Sequence, residues 1–344
     1  MVHLAVDTGV LSGDVAALPL SWLDGLAIVP YRPRQPDWTD SALEKCDAIL
    51  LRSVTKLDRA ALQRLPNLRA VATLSSGTDH VDELALQQQG IGLHTGRGGN
   101  AHAVADWVDW GLSSQGVTPQ EQGRILVVGV GAVGSAVLAR LQMRGFRAIG
   151  CDPPRARLDA NFCGMSWTQA LQQPWLAVTL HVPLTGQGPD KTLDLLDESV
   201  LTGWPGAVVL QASRGGVLEQ QAAAQLRRTG ALRGLAVDTF VGEPQPDPAF
   251  VAACDRATPH IAGHSIEGKL RVAWLALDGL RRQFNLLPPG SLEVAVAEVL
   301  RRVDPPGATE AFSALDAADR ALRLGPPGQF DALRHAHRRG EINL

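Results

Sequence analysis

Three residues of different chemical type each follow an apolar run in the second half of the sequence. Arg214 lies in QASRGG, Glu243 in DTFVGEP and His260 in TPHIAGHS. Taking hydride from a carbon that bears a hydroxyl needs a base for the hydroxyl proton, and histidine titrates in the working range. A carboxylate behind the ring would orient it and stabilise the imidazolium. Arginine offers a rigid fork for a carboxylate beside the reacting carbon, and would polarise the ketone in the reverse direction. Singly, each has an ordinary alternative: a surface arginine, a structural histidine. Together, on loops that follow strands, they suit oxidation of a hydroxy acid.

A hydride acceptor is implied by the stretch Arg124 to Pro154, RILVVGVGAVGSAVLARLQMRGFRAIGCDPP. An apolar run leads into Gly129, Gly131 and Gly134, then a helical stretch, then a second apolar run ending at Asp152. Gly129 allows the tight turn, Gly131 lets the backbone approach a pyrophosphate, and Gly134 lets the helix pack on the strand. The helix start directs amides and its positive dipole end at phosphates. Asp152 stands where an acid can accept hydrogen bonds from ribose hydroxyls, and it would repel a 2′-phosphate; Arg155 and Arg157 nearby could attract one. The position of the acid favours NAD.

These residues need a scaffold of parallel strands. Before residue 100, short apolar runs (Leu4–Val6, Leu26–Val29, Ala48–Leu51, Val71–Leu74, Ile91–Leu93) alternate with helical segments such as Asp58–Leu65 and Val81–Gln89. The alternation predicts parallel strands with helical crossovers. Loops after these strands, at Arg52-Ser53, at Ser75 to Gly77 and at Gly96 to Asn100, lie where open α/β sheets bind ligands. Asn100 is a candidate N-cap for a helix whose Val104, Trp107, Val108 and Leu112 share a face, with Trp107 and Trp110 as packing residues. Further strands are expected at Ile125–Val128, Arg147–Cys151, Leu176–His181, Ala207–Gln211 and Leu235–Val237. A helix is expected at Val217–Arg228, and a long one from Ser265 to Phe284 that returns to the first unit. Pro-Pro-Gly turns at 288, 305 and 326 punctuate a tail ending in the basic run RHAHRRGEINL, whose ordinary reading is a solvated face.

Composition narrows the class. The 344 residues are 45% hydrophobic and 19% charged, with a net charge of −3, which gives no electrostatic reason to expect nucleic acid or an anionic membrane. The four cysteines are scattered without metal-ligand spacing, so no metal is expected, and reduced buried thiols fit a cytoplasmic protein. No apolar span is long enough to cross a membrane.

The GVGAVG fingerprint, the SRGG arginine, the GEP glutamate and the PHIAG histidine together resemble the D-2-hydroxyacid dehydrogenases. LRSVTK at Leu51, SGTDHVD at Ser76, CDPPRA at Cys151, GPDKTLDL at Gly188 and HIAGHSIEGK at His260 point to a branch acting on a phosphorylated four-carbon hydroxy acid, and the likeness extends into LRLGPPGQFDALRHAHRR. The resemblance implies an α/β fold with three parts. These are a flavodoxin-like split substrate domain (1–100 plus 264–287), a doubly wound Rossmann-type NAD-binding domain (101–263) and a small, shortened C-terminal dimerisation domain (288–344). It implies Arg214, Glu243 and His260 as the catalytic set. Cofactor positions are Gly129, Gly131, Gly134, Asp152, Val182, Asp238 and Gly263; Val182 stands where a threonine is usual. Substrate positions are Arg52, Ser53, Ser75, Gly77 and His264, the last replacing a common tyrosine, while Arg97 replaces a proline. Arg338 or Arg339, from this subunit or from its partner, is expected with Arg52 at the substrate phosphate, and the assembly is expected to be a homodimer. A different hydroxy acid such as 3-phosphoglycerate, or a non-catalytic cofactor sensor, are the alternative expectations.

Overall fold

A computed structural model of the chain describes residues 1–11, 18–303, 308–326 and 328–342. The turn expected at 305–307 lies outside the described residues. The chain divides into two compact units, Met1–Asn100 with Ser265–Pro305, and Ala101–His264 with Pro306–Leu344.

The first unit is built on five parallel strands: β1 (Val2–Asp7), β2 (Leu26–Tyr31), β3 (Ala48–Leu51), β4 (Ala70–Thr73) and β5 (Gly92–Thr95). Their order, β2-β1-β3-β4-β5, is the flavodoxin-like one, and it reverses direction between β1 and β3. Every residue of β3 and β4 is buried. Such continuously buried strands are what a parallel sheet covered on both faces requires. The helices expected at Asp58–Leu65 and Val81–Gln89 are shorter, Arg59–Leu62 and Glu83–Gln88, and begin on the capping carboxylates of Asp58 and Asp82.

The second unit carries six parallel strands: β6 (Ile125–Val128), β7 (Ala148–Cys151), β8 (Ala177–Leu180), β9 (Val208–Gln211), β10 (Gly234–Val237) and the two-residue β11 (Arg256–Ala257), which the apolar pattern did not predict. The order is β11-β10-β9-β8-β6-β7, with its reversal between β6 and β8. The helices used below are α1 (Ala101–Ser114), α2 (Ala132–Met143), α3 (Pro153–Leu158), α4 (Gln220–Arg228), α5 (Ile266–Gln283), α6 (Leu292–Val303), α7 (Ala308–Leu324) and α8 (Phe330–Ala336).

α1 differs from the one-faced helix the sequence predicts. It is buried on nearly every side, with Trp107 and Trp110 packed at 0% and 2% exposure. Its two acids turn inward to arginines, Asp106 to Arg140 at 2.7 Å and Asp109 to Arg144 at 3.3 Å. Asn100, expected as its cap, accepts a hydrogen bond from Ser76 Oγ at 2.9 Å.

α5 starts where Ser265 Oγ accepts from the Gly268 amide at 2.8 Å. Its Ile266, Leu270, Ala273 and Leu277 pack with Leu4, Val6, Leu50 and Ala72 of the first sheet. Close approach is possible because of Gly96 and Gly99, where a Cβ would lie 2.5 Å and 2.6 Å from backbone atoms of Val272. The tail is divided between the units. α6 packs on α5, whereas α7 lies on β11 and α1, and α8 on α7.

Candidate active site

Arg214, Glu243 and His260 come from loops that follow three adjacent parallel strands, β9, β10 and β11. The glycine after Arg214 brings the first two loops together: a Cβ on Gly215 would lie 2.1 Å from the Phe240 carbonyl oxygen. No larger residue fits there, and sequence reasoning did not single the position out. Gln211 Nε2 holds the Arg214 carbonyl at 2.7 Å, and Arg214 Nη1 donates to the Ser213 carbonyl at 2.8 Å. The Phe240 amide then donates to Glu243 Oε1 at 2.8 Å, and Glu243 Oε2 meets His260 Nδ1 at 2.7 Å.

The proton positions follow from the charge of Glu243. Burial pushes its carboxyl up, but the hydrogen bond and charge of His260, the Phe240 amide and the charge of Arg334 outweigh burial and hold it below the usual carboxylate range. An ionised carboxylate can only accept, so His260 Nδ1 carries a hydrogen toward it, and whenever the ring is neutral the lone pair is on Nε2. His260 also sits at φ 54°, in the left-handed region. That conformation costs roughly 1–2 kcal/mol in a non-glycine residue, and the surroundings must impose it.

Asp238 supplies much of that constraint. It is 1% exposed; Oδ1 accepts from Thr258 Oγ1 (2.6 Å) and the Ile261 amide (2.8 Å), and Oδ2 from the Ala262 amide (2.9 Å). Burial raises its carboxyl above the usual range against these donors and the charge of His260. Asp238 was expected at the cofactor; its carboxylate in this structure is bound to the loop of His260. Trp107 Nε1 completes the arrangement with a 2.9 Å bond to Thr258 Oγ1. Gly263 and His264 lie in the turn that follows, closed by the His264 amide on the Ile261 carbonyl at 2.8 Å.

The other half of the same sheet edge forms a cradle from β6, β7 and β8. Gly129 has φ 83°, and a Cβ there would lie 2.7 Å from both the His181 carbonyl and Val182 Cγ1. Val182 thus packs against the glycine turn. At Gly134 a Cβ would fall 1.9 Å from the Gly129 carbonyl oxygen, while at Gly131 it would meet no atom within 4 Å. Gly134 lets the helix close on the turn, Gly129 lets the turn close on the chain after β8, and Gly131 faces open space at the start of α2, which suits a pyrophosphate. Asp152 accepts from the Val130 amide at 2.7 Å and caps α3 through the Arg155 amide at 2.9 Å. Arg155 donates to the Val130 carbonyl at 2.6 Å and stacks over Phe162, and Arg157 pairs with Asp190. His181 is pushed down to about 3 by burial, so the ring behind the cradle is neutral.

Four expected substrate residues lie in the first unit, beyond β3 and β4. Arg52 forms a two-pronged pair with Asp7 at the end of β1 (Nε–Oδ2 2.7 Å, Nη2–Oδ1 3.0 Å), at the point where strand order reverses. A Cβ on Gly9 would lie 2.0 Å from Arg52 Nη2, so Gly9 makes room for the guanidinium. Ser53 is exposed next to it. Ser75 belongs to a hydrogen-bond chain that can be assigned a direction. Ser75 Oγ donates to the Gly77 carbonyl at 2.6 Å, so Thr73 Oγ1 must donate to Ser75 (2.8 Å), and His80 Nε2 must donate to Thr73 (2.9 Å).

The two tail arginines part company. Arg338 is exposed, its guanidinium bonded to the carbonyls of His335 and His337. Arg339, expected at the substrate phosphate, has a side chain with 0% exposure that is bonded to backbone carbonyls. That expectation is corrected: a guanidinium enclosed by its own unit cannot reach a ligand. Nothing in the basic run marked one of two adjacent arginines as buried.

The NAD binding domain of D-isomer specific 2-hydroxyacid dehydrogenases matches residues 96–262. The erythronate-4-phosphate dehydrogenase of Aeromonas hydrophila is 36% identical over 342 residues, spanning 92% of this chain and 88% of its own length. The chain belongs to the D-isomer-specific 2-hydroxyacid dehydrogenase family. The erythronate-4-phosphate dehydrogenase of Salinibacter ruber is 37% identical over 324 residues, covering 87% of this chain and 82% of that protein. Among solved structures, the NAD-dependent formate dehydrogenase of Staphylococcus aureus, in complex with NAD, shares the fold. Its TM-score is 0.62 at 22% identity, over 83% of this chain and 96% of that one. The protein is accordingly an NAD-dependent dehydrogenase, and the glycine cradle with Asp152 is the part of the chain that fits the cofactor.

Among the described residues, no group of three or more histidine, cysteine, aspartate or glutamate side chains is placed to hold a metal. No described helix is long and apolar enough to cross a membrane.

Proposed function

We propose that the protein oxidises 4-phospho-D-erythronate to (R)-3-hydroxy-2-oxo-4-phosphooxybutanoate, a step of pyridoxal 5′-phosphate synthesis. The observation that carries the reading is the 2.7 Å hydrogen bond from His260 Nδ1 to Glu243, which leaves Nε2 as the base. Relatives of that name, matching over most of their length, support the substrate.

In this reading Nε2 of His260 takes the proton of the C2 hydroxyl as the carbonyl forms, and Glu243 stabilises the resulting imidazolium. Arg214 grips the substrate carboxylate and polarises the developing carbonyl oxygen. Bound NAD supplies the acceptor for the hydride that leaves C2. Gly129, Gly131 and Gly134 cradle its pyrophosphate, Asp152 takes the ribose hydroxyls, and Val182, Asp238 and Gly263 line its site. Ser53, Ser75 and Gly77 hold the substrate carboxylate end, while Arg52, His264 and the exposed Arg338 receive the phosphate. NAD is favoured over NADP because Asp152 is negative where a 2′-phosphate would lie and Arg155 and Arg157 are engaged elsewhere. In this reading the substrate domain is the split one, 1–100 plus 264–287, the Rossmann-type domain is continuous over 101–263, and the tail serves a homodimer. The four cysteines, none of them in a disulfide, accord with a cytoplasmic protein.

The test is NADH production from 4-phosphoerythronate beside 3-phosphoglycerate and D-lactate, with a 2-oxo acid present to reoxidise tightly held NADH. 4-Phosphoerythronate should be preferred, and His260→Asn should abolish turnover while still binding NADH. Preference for another acid would refute the substrate; an active His260→Asn would refute the base.

A further inference from the structure

The C-terminal segment returns to the catalytic loops at three points. Phe330 of α8 sets its ring edge-on to Phe240, with centroids 6.1 Å apart, and Phe240 provides the amide bonded to Glu243. Arg334, one turn on, adds its positive charge to the field at Glu243. Arg339 then turns inward. Its Nη2 donates to the Ala262 carbonyl at 2.6 Å and to the Ala103 carbonyl at 2.8 Å, and its Nη1 lies 3.6 Å from Asp106 Oδ2. Asp106 also accepts from the Ile342 amide at 3.0 Å, and Arg140 Nη2 donates to the Ile342 carbonyl at 3.3 Å.

We propose that Arg339 is a positioning residue for the proton-transfer dyad, gripping the His260 loop at the carbonyl of the residue whose amide Asp238 holds. Ala262 is held at both of its backbone polar groups, its amide by Asp238 and its carbonyl by Arg339. Two residues upstream, His260 holds a left-handed backbone conformation that relaxes if the peptide units after it are released. Burying a guanidinium is costly, and an apolar side chain such as methionine would follow the same aliphatic path without that cost. The charge earns its place by giving a donor to the Ala262 carbonyl, which lies outside any helix or strand, and it adds a second bond to the Ala103 carbonyl of α1. The arrangement makes the tail part of the catalytic apparatus, although Arg339 touches no reacting atom.

The role rests on His260 being the base, and two readouts separate the ideas in Arg339→Met and Arg339→Lys. Turnover of 4-phosphoerythronate by Arg339→Met should fall by about tenfold or more, as sub-ångström to ångström displacement of a catalytic group does, with NADH affinity retained. Amide hydrogen exchange should accelerate by a similar factor in the peptide carrying Ile261 and Ala262, and little in the strands of the same unit. Arg339→Lys, which can reach one carbonyl, should recover part of both. A folded Arg339→Met with unchanged turnover and exchange would overturn the proposal. So would acceleration spread evenly over the unit, or failure of both variants to fold, either of which marks a general brace. Exchange needs no substrate, so a parent inactive on 4-phosphoerythronate would sink the functional reading and leave the positioning role to be judged separately.

Discussion

Replacing Gly134 with alanine puts the cofactor cradle to a quantitative test. The added Cβ would lie 1.9 Å from the carbonyl oxygen of Gly129 and 2.9 Å from its carbon. An ordinary carbon–oxygen contact is about 3.3–3.6 Å, so α2 and the glycine turn must separate by roughly 1.5 Å. The obstructing atom is backbone and cannot rotate aside. Overpacking of this kind costs about 1–3 kcal/mol. If that cost falls on the cradle's bound geometry, NADH affinity drops by about 5- to 150-fold, at 1.4 kcal/mol per factor of ten. Fluorescence titration of NADH gives the affinity, and thermal melting shows how much of the cost falls on folding. Gly131→Ala is the matched control, since its Cβ meets nothing within 4 Å of protein. It should melt with the parent yet bind NADH more weakly, because the space it fills is the space assigned to the pyrophosphate. Parent-like NADH affinity and melting in Gly134→Ala would refute the packing argument. Parent-like affinity in Gly131→Ala would remove the cofactor from that space.

Glu243→Gln should lower kcat by about a hundredfold with NADH affinity retained, because an amide can accept from Nδ1 but cannot stabilise the imidazolium; a loss of less than threefold would contradict the dyad. The Glu243 carboxyl is depressed on folding despite its burial, so its stabilisation is complete above the unfolded value of about 4.3 and fades as pH falls through the folded one. The melting-temperature gap between parent and Glu243→Gln should therefore narrow as the pH falls into the acid range; a gap that widens in acid would reverse the sign of the argument. Asp106→Ala strips the counter-charge from the buried Arg140 and Arg339, and urea unfolding should show a loss of about 3–5 kcal/mol. A loss near zero would mean that the arginines find other partners. Arg52→Lys breaks the two-pronged bond to Asp7 and should raise the Michaelis constant for 4-phosphoerythronate several-fold without changing that for NAD; an unchanged value would take Arg52 out of the substrate site.

What could be read from the sequence was local. Gly129 and Gly134 announce themselves because a positive φ and a close helix approach leave no other residue possible, and β3 and β6 are unbroken apolar runs. Glu243 and His260 were legible as types of residue after strands, but their contact was not. Gly215 and Gly9 carry no local pattern; their importance lies in what faces them, Phe240 and Arg52. The least legible element was the tail. Asp106, Arg140 and Arg339 have the composition of a solvated surface, and ionic residues are seldom fully buried unless paired. Their pairing joins positions far apart in the chain, a relation no sequence window contains. Asp152 and Asp238 likewise read as ligand acids, whereas each first serves the fold by accepting backbone amides.

The division of the chain bears on how it is made. The first unit's sheet is synthesised within the first hundred residues, but the apolar face covered by Leu270, Ala273 and Leu277 waits until α5 has emerged, after the whole of the second sheet. The second unit in turn waits for α7 and α8. A ribosome-bound chain thus carries an uncovered, strand-rich N-terminal segment for much of its synthesis, the species most exposed to misassociation. Slowed translation between the codons for Leu93 and Leu270 would lengthen that exposure, making the yield of native protein sensitive to elongation rate in a way its final stability does not reveal.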